Sequence, residues 1–274
     1  FDRSLRKITA DTKTALQSAV ERETDEIGRK TLLHMLESAD LAEKGGKFLC
    51  SDAGIPVYVV RVGTRVQFEG KVRQAIADGF HDLVDTIDPP MSPHVANPLT
   101  NARGYGGRNM PIVTFDLVDD ADYVEMICSP KALATGRWAS LEVLSFPTLA
   151  EIEKHIFKSV MRAGTQACSP FIVGVGIGGT IDCASKMAEE AILRPIGQPN
   201  PEPVLADMES RLLKAVNEVG FGAMGTGGNA TALALHIDYS AGHAYTPVAV
   251  TFNCWINRRT RARIYNNGEV VYCE

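Results

Sequence analysis

Phe171-Ile172-Val173-Gly174-Val175-Gly176-Ile177-Gly178-Gly179-Thr180 is an uncharged, largely apolar run that closes on glycines, and Ile181 to Ala191 follows it with helical spacing. Apolar residues at every position, with no polar alternation, read as a strand buried on both faces. The turn after it is rich in glycine and leads straight into a helix. Gly174 to Gly179 also matches G-x-G-x-x-G, a pattern that sets a helix N-terminus against a phosphate. It marks dinucleotide binding when an acidic residue follows about twenty positions on. Leu193 to Pro199 stands at that place and carries no acid. Close packing of strand against helix is therefore the expected use of these glycines, with nucleotide binding as the lesser alternative.

Outward from this unit, helical and extended patterns mix along the whole chain. Upstream lie an amphipathic helix, Glu151 to Ala167, and strands at Pro111 to Phe115 and Tyr123 to Ile127. Asp11 to about Leu41 reads as two short helices with candidate caps at Asp11 and Thr24. Phe48-Leu49-Cys50 and Val57-Tyr58-Val59-Val60 read as strands, and Gly70 to Ile87 as a helix. Asp88 to Met110 is an irregular stretch of over twenty residues, long enough to suggest a functional loop. Its Arg103-Gly104-Tyr105-Gly106-Gly107-Arg108 run suits a backbone folded closely around an anion. Downstream, Val204 to Val219 reads as a helix, and Val248 to Phe252, Arg263 to Tyr265 and Val270 to Tyr272 as strands. The expected fold class is mixed α/β (α+β): one compact domain over residues 1–274, a mixed sheet with surrounding helices. A helical region at about 11–44 packs on it.

The 274 residues are 45% apolar and 22% charged, the mix of a folded globular chain that needs no disulfide staples. The 28 basic and 33 acidic residues leave a net charge of −5, which argues against nucleic acid or an anionic membrane as the main partner. No apolar run approaches the ~20 residues of a spanning helix. The chain opens Phe1-Asp2-Arg3-Ser4, so a cytoplasmic location is expected, with a removed organellar leader left open. The six cysteines form no C-x-x-C pair and are expected to be reduced thiols. No G-x-S-x-G stretch occurs, and His236 and His243, seven apart across a turn, read as structural histidines rather than metal ligands. Cys50, Cys168 and Cys254 each close an expected element, where side chains from different parts of a fold converge. Cys128, Cys183 and Cys273 are less suited to this.

Three segments together resemble the iron–sulfur hydro-lyases: the class I fumarases and L-tartrate dehydratases, specifically the α subunit of the two-subunit forms. They are Cys50-Ser51-Asp52-Ala53-Gly54, similar to C-x-D-[TS]-G; Ala167-Cys168-Ser169-Pro170 with Val173 to Gly179 and Ala191 to Gly197; and Pro247 to Val250 with Cys254-Trp255 and Arg258-Arg259. The resemblance implies a [4Fe-4S] cluster held by Cys50, Cys168 and Cys254, with one iron left open as a Lewis acid. It implies Asp52 and His243 as acid–base residues, and Lys131, Arg108 and Arg137 as clamps for the carboxylates of a small hydroxy dicarboxylic acid. It also implies a separate β subunit, an α2β2 assembly, and an α chain inactive alone.

The chain departs from that pattern at two places. Met91-Ser92-Pro93-His94 stands where class I fumarases carry an arginine, and Pro130-Lys131-Ala132-Leu133-Ala134-Thr135-Gly136-Arg137 where they show P-K-G-x-G-S-E-N. The expected substrate is therefore not simply fumarate or malate. The altered Lys131 to Arg137 stretch also keeps open a non-catalytic, cluster-lacking relative that serves as a binding or assembly subunit.

Overall fold

A computed structural model describes residues 1–67 and 69–273. In chain order the helices are α1 Asp2–Arg6, α2 Ala10–Arg22, α3 Glu26–Gly45, α4 Val72–Thr86, α5 Leu133–Gly136, α6 Leu149–Ala163, α7 Ile181–Ala191 and α8 Pro203–Glu218. The strands are β1 Val57–Gly63, β2 Val95–Ala96, β3 Arg103–Gly104, β4 Ile112–Val118, β5 Tyr123–Cys128, β6 Ser140–Ser145, β7 Phe171–Gly178, β8 Ala232–Ser240, β9 Tyr245–Asn253, β10 Thr260–Tyr265 and β11 Val270–Cys273. The fold is mixed α+β, as the sequence patterns indicate. Contacts group the chain into two compact units: Phe1–Thr9, Ser38–Ala132 and Arg258–Glu274 in the first, Ala10–Glu37 and Leu133–Asn257 in the second.

The second unit is built on a four-stranded sheet in the order β6-β9-β7-β8. Every residue of β7 is buried, which explains its continuous apolar sequence: it pairs parallel with β8 and antiparallel with β9, and both its faces are covered. On one face α6 and α8 bring Ile152, Ile156, Val160, Met208, Leu212 and Val216 onto Phe171, Val173, Val175, Ile237, Val250 and Phe252. On the other, α7 lies against the backbone of β7. A Cβ on Gly174 would stand 2.2 Å from the Ala188 carbonyl oxygen, and one on Gly176 would stand 2.0 Å from that of Ala184. Close packing is thus what these glycines serve. Helix α6 starts with a reciprocal cap: the Thr148 hydroxyl accepts the Glu151 N–H, and the Glu151 carboxylate accepts the Thr148 N–H.

The expected caps of the first two helices fall elsewhere. Asp11 lies inside α2, and its carboxylate accepts the Ile196 N–H at 2.6 Å. The cap of α3 is Asp25 rather than Thr24, because its carboxylate reaches the Gly28 N–H three residues on, at 2.7 Å.

The first unit carries a five-stranded sheet in the order β11-β10-β5-β1-β4. Glu125 of β5 is nearly buried and lies level with Arg61 of β1 and Arg263 of β10; its two oxygens pair with them at 3.1 and 3.3 Å. Helix α4 buries Phe80 among Leu5, Ala53 and Met91. Phe48-Leu49-Cys50 is not a strand. The Leu49 N–H donates to the Leu5 carbonyl at 2.8 Å, and three residues with no neighbouring strand run as a loop. The irregular stretch holds the short hairpin β2–β3. No helix among the described residues is long and apolar enough to cross a membrane.

Two glycine substitutions separate close packing from helix propensity. Gly176→Ala is expected to lower stability by about 1–3 kcal/mol through forced displacement of α7. Gly79→Ala, in mid-α4 where a Cβ meets nothing within 4 Å, is expected to raise it by roughly 0.5–1 kcal/mol. Urea unfolding monitored by circular dichroism measures both; equal effects would contradict the packing account.

Candidate functional site

In the first unit the chain makes a tight turn after Cys50. The Asp52 carboxylate Oδ1 accepts the Gly54 N–H at 2.8 Å, so this residue has the turn role that any aspartate at that spacing can take. Gly54 has φ +73°, and a Cβ there would stand 2.9 Å from the Lys131 backbone. That closeness lets Ile55 and Lys131 exchange two backbone hydrogen bonds of 3.0 Å each, fastening the turn to the strand-end segment Ser129–Lys131. From the other side, Arg258 Nη1 donates to the Asp52 carbonyl at 2.6 Å. Its own carbonyl is held by the Ser129 hydroxyl at 3.1 Å.

Oδ1 of Asp52 also faces the ring of His94, whose Nε2 stands 3.6 Å away. His94 Nδ1 lies 2.8 Å from the Ser92 carbonyl, which can only accept, so that nitrogen carries a proton. Both side chains remain partly open to solvent. The carboxylate is thus pinned through one oxygen and flanked by an imidazole, and both groups are able to carry a proton. His94 was visible in the sequence only as a departure in the long loop, and nothing in its local pattern pointed to Asp52.

In the second unit the topology brings two of the candidate cysteines together. Cys168 precedes β7 and Cys254 follows β9, and the antiparallel register pairs Ile172 with Asn253 at that end of the sheet. The Trp255 N–H donates to the Cys168 carbonyl at 3.3 Å. The Cys168 N–H in turn donates to the hydroxyl of fully buried Thr135 at 3.1 Å. Ser169, also fully buried, donates its hydroxyl to the Gly222 carbonyl at 2.7 Å. Thr135 belongs to the stretch that departs from the P-K-G-x-G-S-E-N pattern, and its structural part is anchoring the Cys168 backbone.

The remaining candidates are distributed. Lys131 is buried in the first unit, and Arg108 is exposed in the loop ahead of β4. Arg137 is exposed in the second unit, its guanidinium over the Trp138 ring. His243 lies between β8 and β9, accepts the Tyr245 N–H at 3.1 Å and stacks on the Tyr245 ring. His236 is buried, with Nδ1 3.0 Å from the Ala191 carbonyl. None of the six cysteines forms a disulfide. Among the described residues, no three His, Cys, Asp or Glu side chains gather into a metal-binding group.

Comparison with known proteins bears on the whole chain. The family model described as "Fumarate hydratase (Fumerase)" matches residues 1–263. The chain belongs to the fumarate hydratase family. A relative from Methanocaldococcus jannaschii, provisionally named an L(+)-tartrate dehydratase subunit alpha, is 33% identical over 261 residues, covering 93% of this chain and 91% of its own. The L(+)-tartrate dehydratase subunit alpha of Escherichia coli strain UTI89 is 29% identical over 262 residues, covering 93% and 85%. That of strain K12 is 28% identical over 256 residues, covering 91% and 83%. Membership in the fumarate hydratase family thus rests on nearly the full length, with only the end of β10 and the segment that holds β11 outside the match.

The cysteines differ in environment, and reactivity reads this out. Burial pushes the Cys128 thiol above its ordinary pKa, which shrinks its thiolate fraction near pH 8. Cys50 and Cys168 are half-buried. In the metal-free chain, iodoacetamide followed by peptide mass spectrometry is expected to modify Cys50 and Cys168 well before Cys128. Equal rates at the three positions would contradict these environments.

Proposed function

We propose that this chain is the cluster-binding α subunit of a hydro-lyase that removes water from, or adds it to, a hydroxy dicarboxylic acid of the tartrate type. Family membership over residues 1–263 supports hydro-lyase chemistry, and the alpha-subunit names of the relatives support a partnered chain. The single observation that carries the reading furthest is the pairing of Cys168 with the Cys254-Trp255 segment at one end of the sheet.

The residues present fit an iron–sulfur cluster. Cys50, Cys168 and Cys254 are thiols outside any disulfide on fastened loops, the donor set that a three-thiolate cluster takes. Close to the first of these loops, Arg258 is a buried cation with an unpartnered Nη2, a setting that suits an anionic centre. When bound, a cluster with an open iron supplies a Lewis acid for a hydroxyl and an adjacent carboxylate.

The chain's own side chains account for the rest. Asp52, held through Oδ1 by the Gly54 N–H, exchanges a proton with the substrate, and the His94 ring beside it keeps the carboxylate oriented. In dehydration the C–H proton is taken up, the C–O bond breaks with its electron pair on oxygen, and the carbon–carbon double bond forms. His243 is the second acid–base group. Lys131, Arg108 and Arg137 supply cations for the carboxylates. A β subunit completes the site, in an α2β2 assembly.

Anaerobic turnover with L-tartrate, malate and fumarate tests the reading, using the chain alone and with its β partner. Tartrate turnover is expected only with the partner present and to exceed fumarate hydration. Dominant fumarate hydration would contradict the substrate assignment. Activity of the chain alone would contradict the two-subunit site. No turnover with any diacid, together with no uptake of iron, would favour the non-catalytic, cluster-lacking assembly subunit.

A further inference from the structure

Arg258 carries a charge that no neighbouring side chain balances. It is 2% exposed, and among the described residues no carboxylate pairs with it. Its Nη1 is spent on the Asp52 carbonyl, and its Nη2 is buried with no partner at all. Other arginines have a carboxylate partner: the partly buried Arg194 pairs with Glu209, and the more exposed Arg61 and Arg263 share Glu125. A fully enclosed guanidinium held only by a neutral carbonyl is costly, because hydration is lost and no opposite charge replaces it. Such a residue persists where an anion arrives later.

The position of Arg258 limits what that anion is. The guanidinium grips the peptide two residues after Cys50, and the Ser129 hydroxyl fixes the arginine's own backbone. Nη2 is closed to solvent, so a carboxylate diffusing from solution has no open approach to it. The gripped peptide follows Cys50 by two residues, so the anion proposed for this charge is the iron-bound thiolate of Cys50. Nη1 meanwhile fixes the carbonyl of Asp52, within the turn that follows Cys50.

We infer that Arg258 is the positioning residue and counter-charge of the Cys50 loop, holding the Asp52 peptide and balancing the iron-bound thiolate of Cys50. The inference rests on the proposed cluster reading and deepens it. It assigns the buried arginine to cofactor retention rather than to substrate binding or to stability of the empty chain.

The test uses the full chain with its β partner, reconstituted anaerobically with iron and sulfide, as wild type, Arg258→Gln and Arg258→Lys. Iron and acid-labile sulfide per chain, the rate of iron release to a chelator, the midpoint potential, and the melting temperature of the metal-free protein are measured. For Arg258→Gln, iron release is expected to be roughly tenfold faster, the order seen for groups that support metal ligands from behind. Its midpoint potential shifts downward, since a positive charge that favours the reduced form is gone. Its metal-free form melts no lower than wild type, because an unbalanced buried charge has been removed. Arg258→Lys keeps the charge and stays near wild type in potential. Wild-type release and potential in Arg258→Gln would overturn the inference. So would a metal-free Arg258→Gln protein that melts well below wild type or does not fold, which is the signature of a purely structural arginine. A wild-type protein that takes up no iron removes the parent cluster reading, and this one with it.

Discussion

Helix α7 rests on bare backbone. With no side chain at Gly174 and Gly176, the carbonyls of Ala184 and Ala188 approach β7 more closely than any Cβ would permit. The second unit depends on that contact. It covers one face of β7, leaves the opposite face to the large apolar side chains of α6 and α8, and so makes β7 the fully buried centre of its sheet. The glycines that look like a phosphate-binding signature are spent on packing, and the geometry of the contact says why no larger residue stands there.

A strand fixed in this way has fixed ends, and the cysteines use them. Cys168 lies just before β7 and Cys254 just after β9, so antiparallel pairing alone brings the two segments level. The hydrogen bonds around them add precision: Thr135 takes the Cys168 N–H, and the Cys168 carbonyl takes that of Trp255. The loop of Cys50 reaches a comparable rigidity by other means. It is a turn closed by its own aspartate, fastened to Lys131 through a glycine that admits close approach, and gripped by a buried arginine. Loops fastened in this way lose little further freedom when a group binds to them.

How legible this was depended on the range of the interaction concerned. The β7–α7 unit, the helices α2, α3, α4, α6 and α8, and most central strands follow from local periodicity. Phe48-Leu49-Cys50 does not form a strand because no neighbouring strand pairs with it, a fact its three residues cannot carry. Edge strand β6 is hard to read locally because its apolar Leu141 and Val143 are exposed, so its pattern does not mark a buried face. The division into two units is hidden because the chain crosses between them at four points, one of them inside α3, so no linker marks the boundary. Within the site, Asp52 and the three cysteines were named through family resemblance. Thr135, His94 and Arg258 act through contacts 33, 42 and 206 residues away in sequence, and no spacing rule reaches that far.

The account stands on three thiolates serving one cofactor. Anaerobic reconstitution of the wild-type chain and of Cys168→Ala, followed by iron and acid-labile sulfide analysis and a visible spectrum, tests this most directly. About four irons per chain with a charge-transfer band in the wild type, both lost in the variant, is the result expected of a [4Fe-4S] centre. A wild-type chain that binds no iron, or a variant that binds as much as wild type, would contradict it.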